Sequence, residues 1–493
     1  MSCQLPIDCL NDILEHLRDD KDEDTLRSCL LVNRLWCKVS VPILWTNIQN
    51  YKTLITCLPN ESTEILYKNG IIISTLTSKP PLFNYVAFIK ILNFNMIEVG
   101  IYKNNIIPRS TDTNKRIVII QEIFKMFMNQ ISLKRLYFDF DYNSYADIPF
   151  ITYPGAIDCL KNLSILNCES RVESEFFHQL SQICHHIQLL KIDIGSVISN
   201  ELTKLISVQQ NLKYLRILYS RLDNDSFKKI IPSLIKLPNT LITIKLKVNL
   251  YYFDKTHAPF ILPLSFLAKF TNLQEIVLSA LHSFENLQHV TFPQLQILKF
   301  HHNCPGFEFL NELLKNNGKN LKVLQLDKMD FDLLDLDIAK FCPNLKSLYV
   351  RFLYNEVEKL KEILISCQQL ESIGVWCGDD DNISYLNVCE LLNVLAKYSP
   401  KKFHELKIHY LDYKLELIPE ELESVLISWA NRVPQKSLSL IIFVWLLYLP
   451  DSIVKKENME IIEKFKKLGV IKKFETFYFD VCNAEQSFKI FLS

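Results

Sequence analysis

Three clusters of side chains have the chemistry to hold a metal or move a proton. His301-His302-x-Cys304 sets two imidazoles and a thiol within four residues. Zinc accepts such ligands, but adjacent residues on a strand point to opposite faces, so the rest of a tetrahedral set would have to come from elsewhere. His185-His186 closes an apolar helical run, where an imidazolium suits the negative end of the helix dipole. Asp379-Asp380-Asp381 follows a strand pattern and reads as a solvated loop rather than a cation site. Neither Gly-x-Gly-x-x-Gly nor Gly-Lys-Ser/Thr occurs, and nine glycines in 493 residues leave little for loops that cradle phosphate. No Ser/His/Asp or Cys/His set is singled out by spacing. The expectation is a chain that catalyses nothing itself and needs no cofactor and no metal.

The elements that would position these residues come from the whole chain. Its length allows two or three ordinary domains or one long repeat array. Lys plus Arg and Asp plus Glu both number 55, so nothing in the balance attracts nucleic acid or an anionic membrane. Fourteen cysteines occur with no Cys-x-x-Cys pair, several inside apolar runs (Cys184, Cys367, Cys389). That pattern fits reduced, buried thiols and predicts a cytoplasmic or nuclear protein. Met-Ser-Cys-Gln-Leu-Pro shows no secretory signal. The longest apolar run, Leu438 to Leu449, is shorter than the ~20 residues a membrane helix needs and reads as a buried element.

A triplet of apolar residues at i, i+3 and i+5 recurs along most of the chain. It begins with Leu133/Leu136/Phe138, Leu160/Leu163/Ile165, Ile187/Leu190/Ile192, Leu212/Leu215/Ile217 and Leu241/Ile244/Leu246. Leu273/Ile276/Leu278, Leu295/Leu298/Phe300, Leu321/Leu324/Leu326, Leu345/Leu348/Val350, Leu370/Ile373/Val375 and Phe403/Leu406/Ile408 continue it, with Phe474/Phe477/Phe479 as a looser last member. Most intervals run from 22 to 33 residues, close to the roughly 20–29 of a leucine-rich repeat. In each triplet the last two residues alternate on a short strand and point inward, while the first packs at the strand's entry. Helical stripes lie between, as in Phe227/Ile230/Ile231/Leu234, Val357/Leu360/Ile363/Leu364/Cys367 and Leu310/Leu313/Leu314, the last closed by Gly318. The predicted class is α/β: an irregular leucine-rich-repeat horseshoe over residues 132–493, with a parallel sheet on the concave face and helices outside. Residues 49–131 are expected to be a linker and N-terminal cap, with a joint at Ser78-Lys79-Pro80-Pro81, a strand near Val86, Ile89 and Ile91, and a capping helix over Ile117–Met128.

On such strands the residues flanking the inward pair face the concave side. Lys191, Arg216, Lys245, Val277 and Lys299 occupy the middle exposed position in succession, with Lys247 beside them. Tyr349, Arg351, Trp376, Lys407, His409 and Tyr478 follow. A basic column beside aromatics is expected to take an acidic or phosphorylated segment of a protein substrate, with Tyr349 and Trp376 as apolar anchors.

The first 48 residues differ in kind. Pro6 and Asp8 suit a first helical turn. Leu10, Ile13, Leu14 and Leu17 then form one apolar stripe, and the acidic run Asp19–Asp24 makes a solvated connection. Leu26, Cys29 and Leu30 lead to a bend at Asn33, and a third helix runs from Arg34 to just before Pro42. Three short helices cannot bury that much Leu and Trp alone, which leaves a surface for something else. Leu5-Pro6, Ile13-Leu14, Leu26 and Val32-Asn33-Arg34-Leu35-Trp36, in that order, resemble an F-box. Thr25 and Cys9 depart from the family pattern, which often has Asp and a larger aliphatic residue there. The resemblance covers about the first tenth of the chain. It implies a Skp-family adaptor docked on Leu5, Pro6, Ile7, Leu10, Ile13, Leu14, Leu26, Val32, Asn33 and Trp36, and through it a cullin and a RING subunit.

Joined to a repeat array, this resembles the substrate receptor of an SCF-type ubiquitin ligase. Its contribution would be proximity rather than side-chain chemistry. Two other classes fit less of the sequence: a binding or scaffold protein with no ligase role, and an enzyme whose site is assembled across repeats.

Overall fold

The computed structural model describes residues 5–19, 22–73, 81–107, 112–138, 149–195, 198–219, 224–248, 264–281, 284, 286–327, 336–380, 383–410, 418–433, 436–446 and 456–480. Ser78, Lys79, Pro80 and Asp381 lie outside them. Two units are present, Met1–Leu241 and Ile242–Ser493.

The first unit opens with α1 (Ile7–Asp19), α2 (Glu23–Cys29) and α3 (Arg34–Leu44). Asp22 caps α2 by accepting a bond from Thr25 N–H at 3.1 Å, and Asn33 caps α3 by accepting from Trp36 N–H at 2.9 Å. α3 continues past Pro42, which the sequence placed beyond its end. The proline sits in the last turn, where its missing N–H costs one bond, and Trp45 N–H still reaches the Val41 carbonyl. Leu10, Leu14, Leu26, Val41, Ile43, Leu44 and Trp45 form the core of this bundle. Phe83, Tyr85 and Phe88 pack against it, Tyr85 with its ring centroid 4.4 Å from that of Trp45.

α4 (Tyr51–Thr56), α5 (Asn60–Lys68), α6 (Phe94–Lys103) and α7 (Thr113–Gln130) follow. Five parallel strands complete the unit: β1 (Ile91–Asn93), β2 (Arg135–Phe138), β3 (Ile165–Glu169), β4 (Leu189–Ile194) and β5 (Tyr214–Tyr219). β1 lies within the stretch read as linker and cap, and Val86 belongs to a short 3-10 turn before it rather than to a strand. The long helix at Ile117–Met128 is present as α7, but it is the crossover from β1 to β2 and not a terminal cap.

The second unit holds β6 (Thr243–Val248), β7 (Glu275–Ser279), β8 (Ile297–His301), β9 (Val323–Leu326), β10 (Ser347–Val350) and β11 (Ser372–Cys377). A short antiparallel hairpin, β12 (Asp379–Asp380) with β13 (Ile383–Ser384), stands where a solvated loop was expected. β14 (Glu405–Tyr410), β15 (Leu438–Leu446) and β16 (Ile471–Asp480) end the parallel sheet. Each unit is thus mixed α/β with strand–helix or strand–turn repeats.

The triplets locate ten of these strands in correct register, β2, β4 to β11 and β14; Leu190 and Ile192, for example, are both fully buried. Two placements differ. β3 turns Leu166 and Cys168 inward, opposite Leu136 and Phe138, so its triplet starts at Leu163; Leu160 belongs to the preceding helix. On β16, Phe477 pairs with Phe443 on the opposite face from Phe474 and Leu440 in the sheet's alternation, because β15 was not recognised as its neighbour. The apolar run from Leu438 is that strand.

Buried carboxamides tie neighbouring repeats. Gln209 donates to the Cys184 and Leu205 carbonyls and accepts from Ile187 N–H. Asn317 does the same for Val290, Leu313 and Phe292. Asn320 and Asn344, just before their strands, donate to the carbonyls of Pro293 and Lys319. Gly318 is required by crowding rather than by a left-handed turn: a Cβ there would stand 2.7 Å from the Phe341 carbonyl oxygen.

Candidate functional site

Two surfaces carry unspent chemistry: the opening helices and a recess on the open face of the second unit's sheet.

On the helices the ten residues named for adaptor docking divide. Leu10, Leu14 and Leu26 are 1%, 0% and 1% exposed and form the bundle's own core, so they hold the helices together and present nothing. Ile13 does not join their stripe. At ~100° per residue it stands about 60° away from Leu10 on the helix wheel, enough to turn it outward. It is 47% exposed, with Leu5 at 49%, Ile7 at 57%, Val32 at 56% and Leu31, absent from the sequence-based set, at 89%. Pro6 is exposed, and its carbonyl accepts from Leu10 N–H at 3.0 Å. Asn33 uses its side-chain oxygen as the α3 cap, and Trp36 is half-buried against the bundle core. Five of the nineteen exposed large apolar side chains among the described residues therefore fall between Leu5 and Val32. Water does not favour such a concentration, and a partner would remove it.

The open-face residues also sort differently from the expected basic column. Lys191 and Arg216 are register neighbours on β4 and β5 in the first unit, both half-buried. In the second unit the middle position reads Lys245, Val277, Lys299, Gln325, Tyr349, Gly374, Lys407, Ile441 and Glu475 from β6 to β16. Charge is mixed rather than uniformly basic. Lys245 is paired with Glu275 at 2.8 Å and Lys407 with Glu405 at 3.1 Å. Arg351 is not available to a ligand: it faces Asp327 at 3.7 Å, donates to Tyr385 Oη at 3.1 Å and stacks 4.3 Å from the Trp376 ring.

Two residues further along each strand lies an aromatic floor. Trp376, His409, Phe443 and Phe477 are register neighbours on β11, β14, β15 and β16. His409 stacks on Phe443 at 4.6 Å and 15°, and Phe443 on Phe477 at 5.4 Å and 17°. Tyr349 meets the His409 ring edge-on at 5.0 Å. Tyr349 and Trp376 are each only 7% exposed, so they build this floor rather than stand out as free anchors. Parallel strands ~4.8 Å apart impose the ladder, since same-position rings on adjacent strands meet at stacking distance.

Burial dominates the titration of this face. His409 is held well below the ordinary histidine range, first by burial and then by Arg351 and Lys407. His301 is pushed down to about 3 by burial, with His302 and Lys299 adding to it, and neither of its ring nitrogens has a hydrogen-bond partner among the described residues. Burial raises the Asp327 carboxyl, and Arg351 opposes that in part. His302 has left the strand with φ of +64°, so the His301–Cys304 motif is a strand end followed by a turn. No group of three metal-ligating side chains is present among the described residues. The thiols at Cys184 and Cys367 are buried, donate to the Leu160 and Cys342 carbonyls, and are pushed up to about 12 and about 11 by burial. No helix of the described residues is long and apolar enough to cross a membrane.

Between the mixed column and the aromatic floor lies a recess of about 380 Å³. Lys299, Gln325, Tyr349, Gly374, Lys407, Ile441, Phe443 and Phe477 line it. Gln325 and Phe477 were missed in the sequence; Gln325 stands between Leu324 and Leu326 on a strand the triplets locate, whereas Phe477 needs the register of β16 against β15.

No family model matches the chain, and no curated protein matches it in sequence. Among solved structures it is similar to an internalin from Listeria monocytogenes, at 14% identity and a TM-score of 0.33. That match covers 73% of this chain and 84% of the internalin. The repeat fold is read from the strands and registers described above.

Proposed function

We propose that this chain is the substrate-recognition subunit of an SCF-type ubiquitin ligase, docking a Skp-family adaptor with its opening helices and holding a protein client on the open face of its parallel strands. The observation that carries this reading is the exposure of Leu5, Ile7, Ile13, Leu31 and Val32, on α1 and in the segments that precede it and follow α2, within the stretch whose residue order resembles an F-box. Truncated hot-spot side chains typically cost ~2 kcal/mol or more, which is over tenfold in affinity. On this reading the chain supplies position and breaks no bond, so a cullin and a RING subunit would complete the complex.

A second reading has an observation of its own. Phe83, Tyr85 and Phe88 pack on the bundle, and Thr46 carbonyl accepts from Lys90 and Ile91 N–H at 2.9 and 3.1 Å, fastening the bundle to β1. Helices so attached could cap the strands of a binding or scaffold protein with no ligase role.

Co-purification of the full chain with a Skp-family adaptor separates the two. Leu5→Asp with Val32→Asp should abolish capture while the thermal midpoint stays within a few degrees. If the wild-type chain captures no adaptor, the ligase reading fails and the capping one stands.

A further inference from the structure

The recess in the second unit has two unlike walls. Its polar wall joins Lys299 on β8 to Gln325 on the adjacent β9, at the same position of neighbouring strands. Lys299 has no carboxylate at ion-pair distance among the described residues, unlike Lys245 and Lys407. Gln325 is 7% exposed, and its Nε2 is buried with no hydrogen-bond partner among the described residues. A buried donor left unmade costs free energy, so a group that accepts from it is favoured there. The other wall is mostly apolar, Ile441, Phe443 and Phe477 with the Tyr349 ring, stacked nearly parallel at Phe443 and Phe477, and its charged members Lys407 and Glu475 are paired with Glu405 and Lys473. At about 380 Å³ the space is at the small end of ligand pockets, which run from roughly 300 to 1,000 Å³. It admits one ring with its acid group rather than a folded surface.

We infer that this recess binds an organic anion carried on an aromatic ring, a carboxylate or phosphate whose oxygens meet Lys299 Nζ and Gln325 Nε2 while the ring lies against Tyr349, the aromatic one strand beyond Gln325. Burial, and then the neighbouring Lys245 and Lys407, favour loss of the Lys299 proton against the pull of Glu275. A bound anion reverses that imbalance. Two sources share this chemistry: a free aromatic acid, or an aromatic side chain of a client bearing a phosphate or the terminal carboxylate. The use of the site in recognition rests on the proposed function; the site itself does not.

The test titrates the purified full chain, without adaptor, by calorimetry. Phenyl phosphate and 3-phenylpropionate represent the free anion, and a short peptide ending in phenylalanine or carrying phosphotyrosine represents the client. Inorganic phosphate and butyrate are the ringless controls. Saturable binding of a ring-bearing probe, at least tenfold tighter than its control and at least tenfold weaker in Lys299→Gln and Gln325→Leu, is expected. Binding by the small probes alone assigns a metabolite-like ligand, and binding favouring the peptides assigns a client side chain. No saturable binding, or binding indifferent to the ring or to both substitutions, overturns the inference. Adaptor capture should be unchanged in Lys299→Gln, so failure here is distinguishable from failure of the ligase reading.

Discussion

Tyr349 lies over Gly374 on the neighbouring strand, so close that a Cβ at Gly374 would stand 2.1 Å from Tyr349 Cδ2. The missing side chain on β11 is what lets the ring reach the His409 edge and form one side of the recess. Gly374→Ala should therefore destabilise the chain by about 1–3 kcal/mol, the usual cost of overpacking. Tyr349→Ala in the same chain should recover part of that loss, and denaturant midpoints of the four-member cycle would measure the coupling. Additive losses would contradict the contact.

On α1 the residue that holds the fold and the residue assigned to docking by the proposed function are neighbours. Leu14 is fully buried and Ile13, its neighbour, is nearly half exposed. Leu14→Ala should cost about 2–5 kcal/mol. Ile13→Ala should stay within about 0.5 kcal/mol, as exposed substitutions do, yet weaken adaptor capture on the proposed function. Circular dichroism melts paired with capture assays would read both; a melt lowered equally by the two would contradict the assignment of faces.

Asp327, buried, and Arg351, half-buried, form an ion pair in the second unit. Arg351→Ala removes the compensating cation and should cost about 3–5 kcal/mol, whereas replacing both residues by apolar ones of similar volume should cost far less. Chemical denaturation at neutral pH decides this.

His301 gives a pH signature. Its ring stays neutral in the folded chain down to about pH 3, while in the unfolded chain it takes a proton near the ordinary 6.5. Between those values the unfolded state binds more protons, so this residue makes stability fall as pH drops from 6.5 toward 3 and has no effect above 6.5. Replacement by a residue that does not titrate, His301→Gln, should flatten that decline by up to one proton. His409, also held low, should keep its own share. Proton uptake on unfolding, measured at pH 5, is the check.

Much of the fold was legible because a strand one face deep in apolar contacts forces Leu, Ile or Phe to recur at fixed offsets, as at Leu324/Leu326 and Leu348/Val350. It failed where both faces are apolar: β15 carries Leu440 and Ile442 on one side and Ile441 and Phe443 on the other, so no alternation marks its ends. The same blindness hid the aromatic floor, which needs β15 beside β16. Among the residues expected to dock an adaptor, sequence could not tell the outward Ile13 from the inward Leu14, because a stripe of four apolar positions is wider than three short helices can cover. The basic column was half legible: the lysines are there, but Glu275 and Glu405 beside two of them are read only once strands are set side by side.

The carboxamides of Gln209 and Asn317 reach carbonyls 25 and 27 positions back along the chain, at Cys184 and Val290. Each such link measures out one complete module. Excising a fraction of a module would maroon an amide in an oily interior, whereas adding or removing an entire one leaves every link satisfied. Descendants of this gene should thus vary in length by integral steps, and a surviving indel of a few residues should fall in the connecting turns.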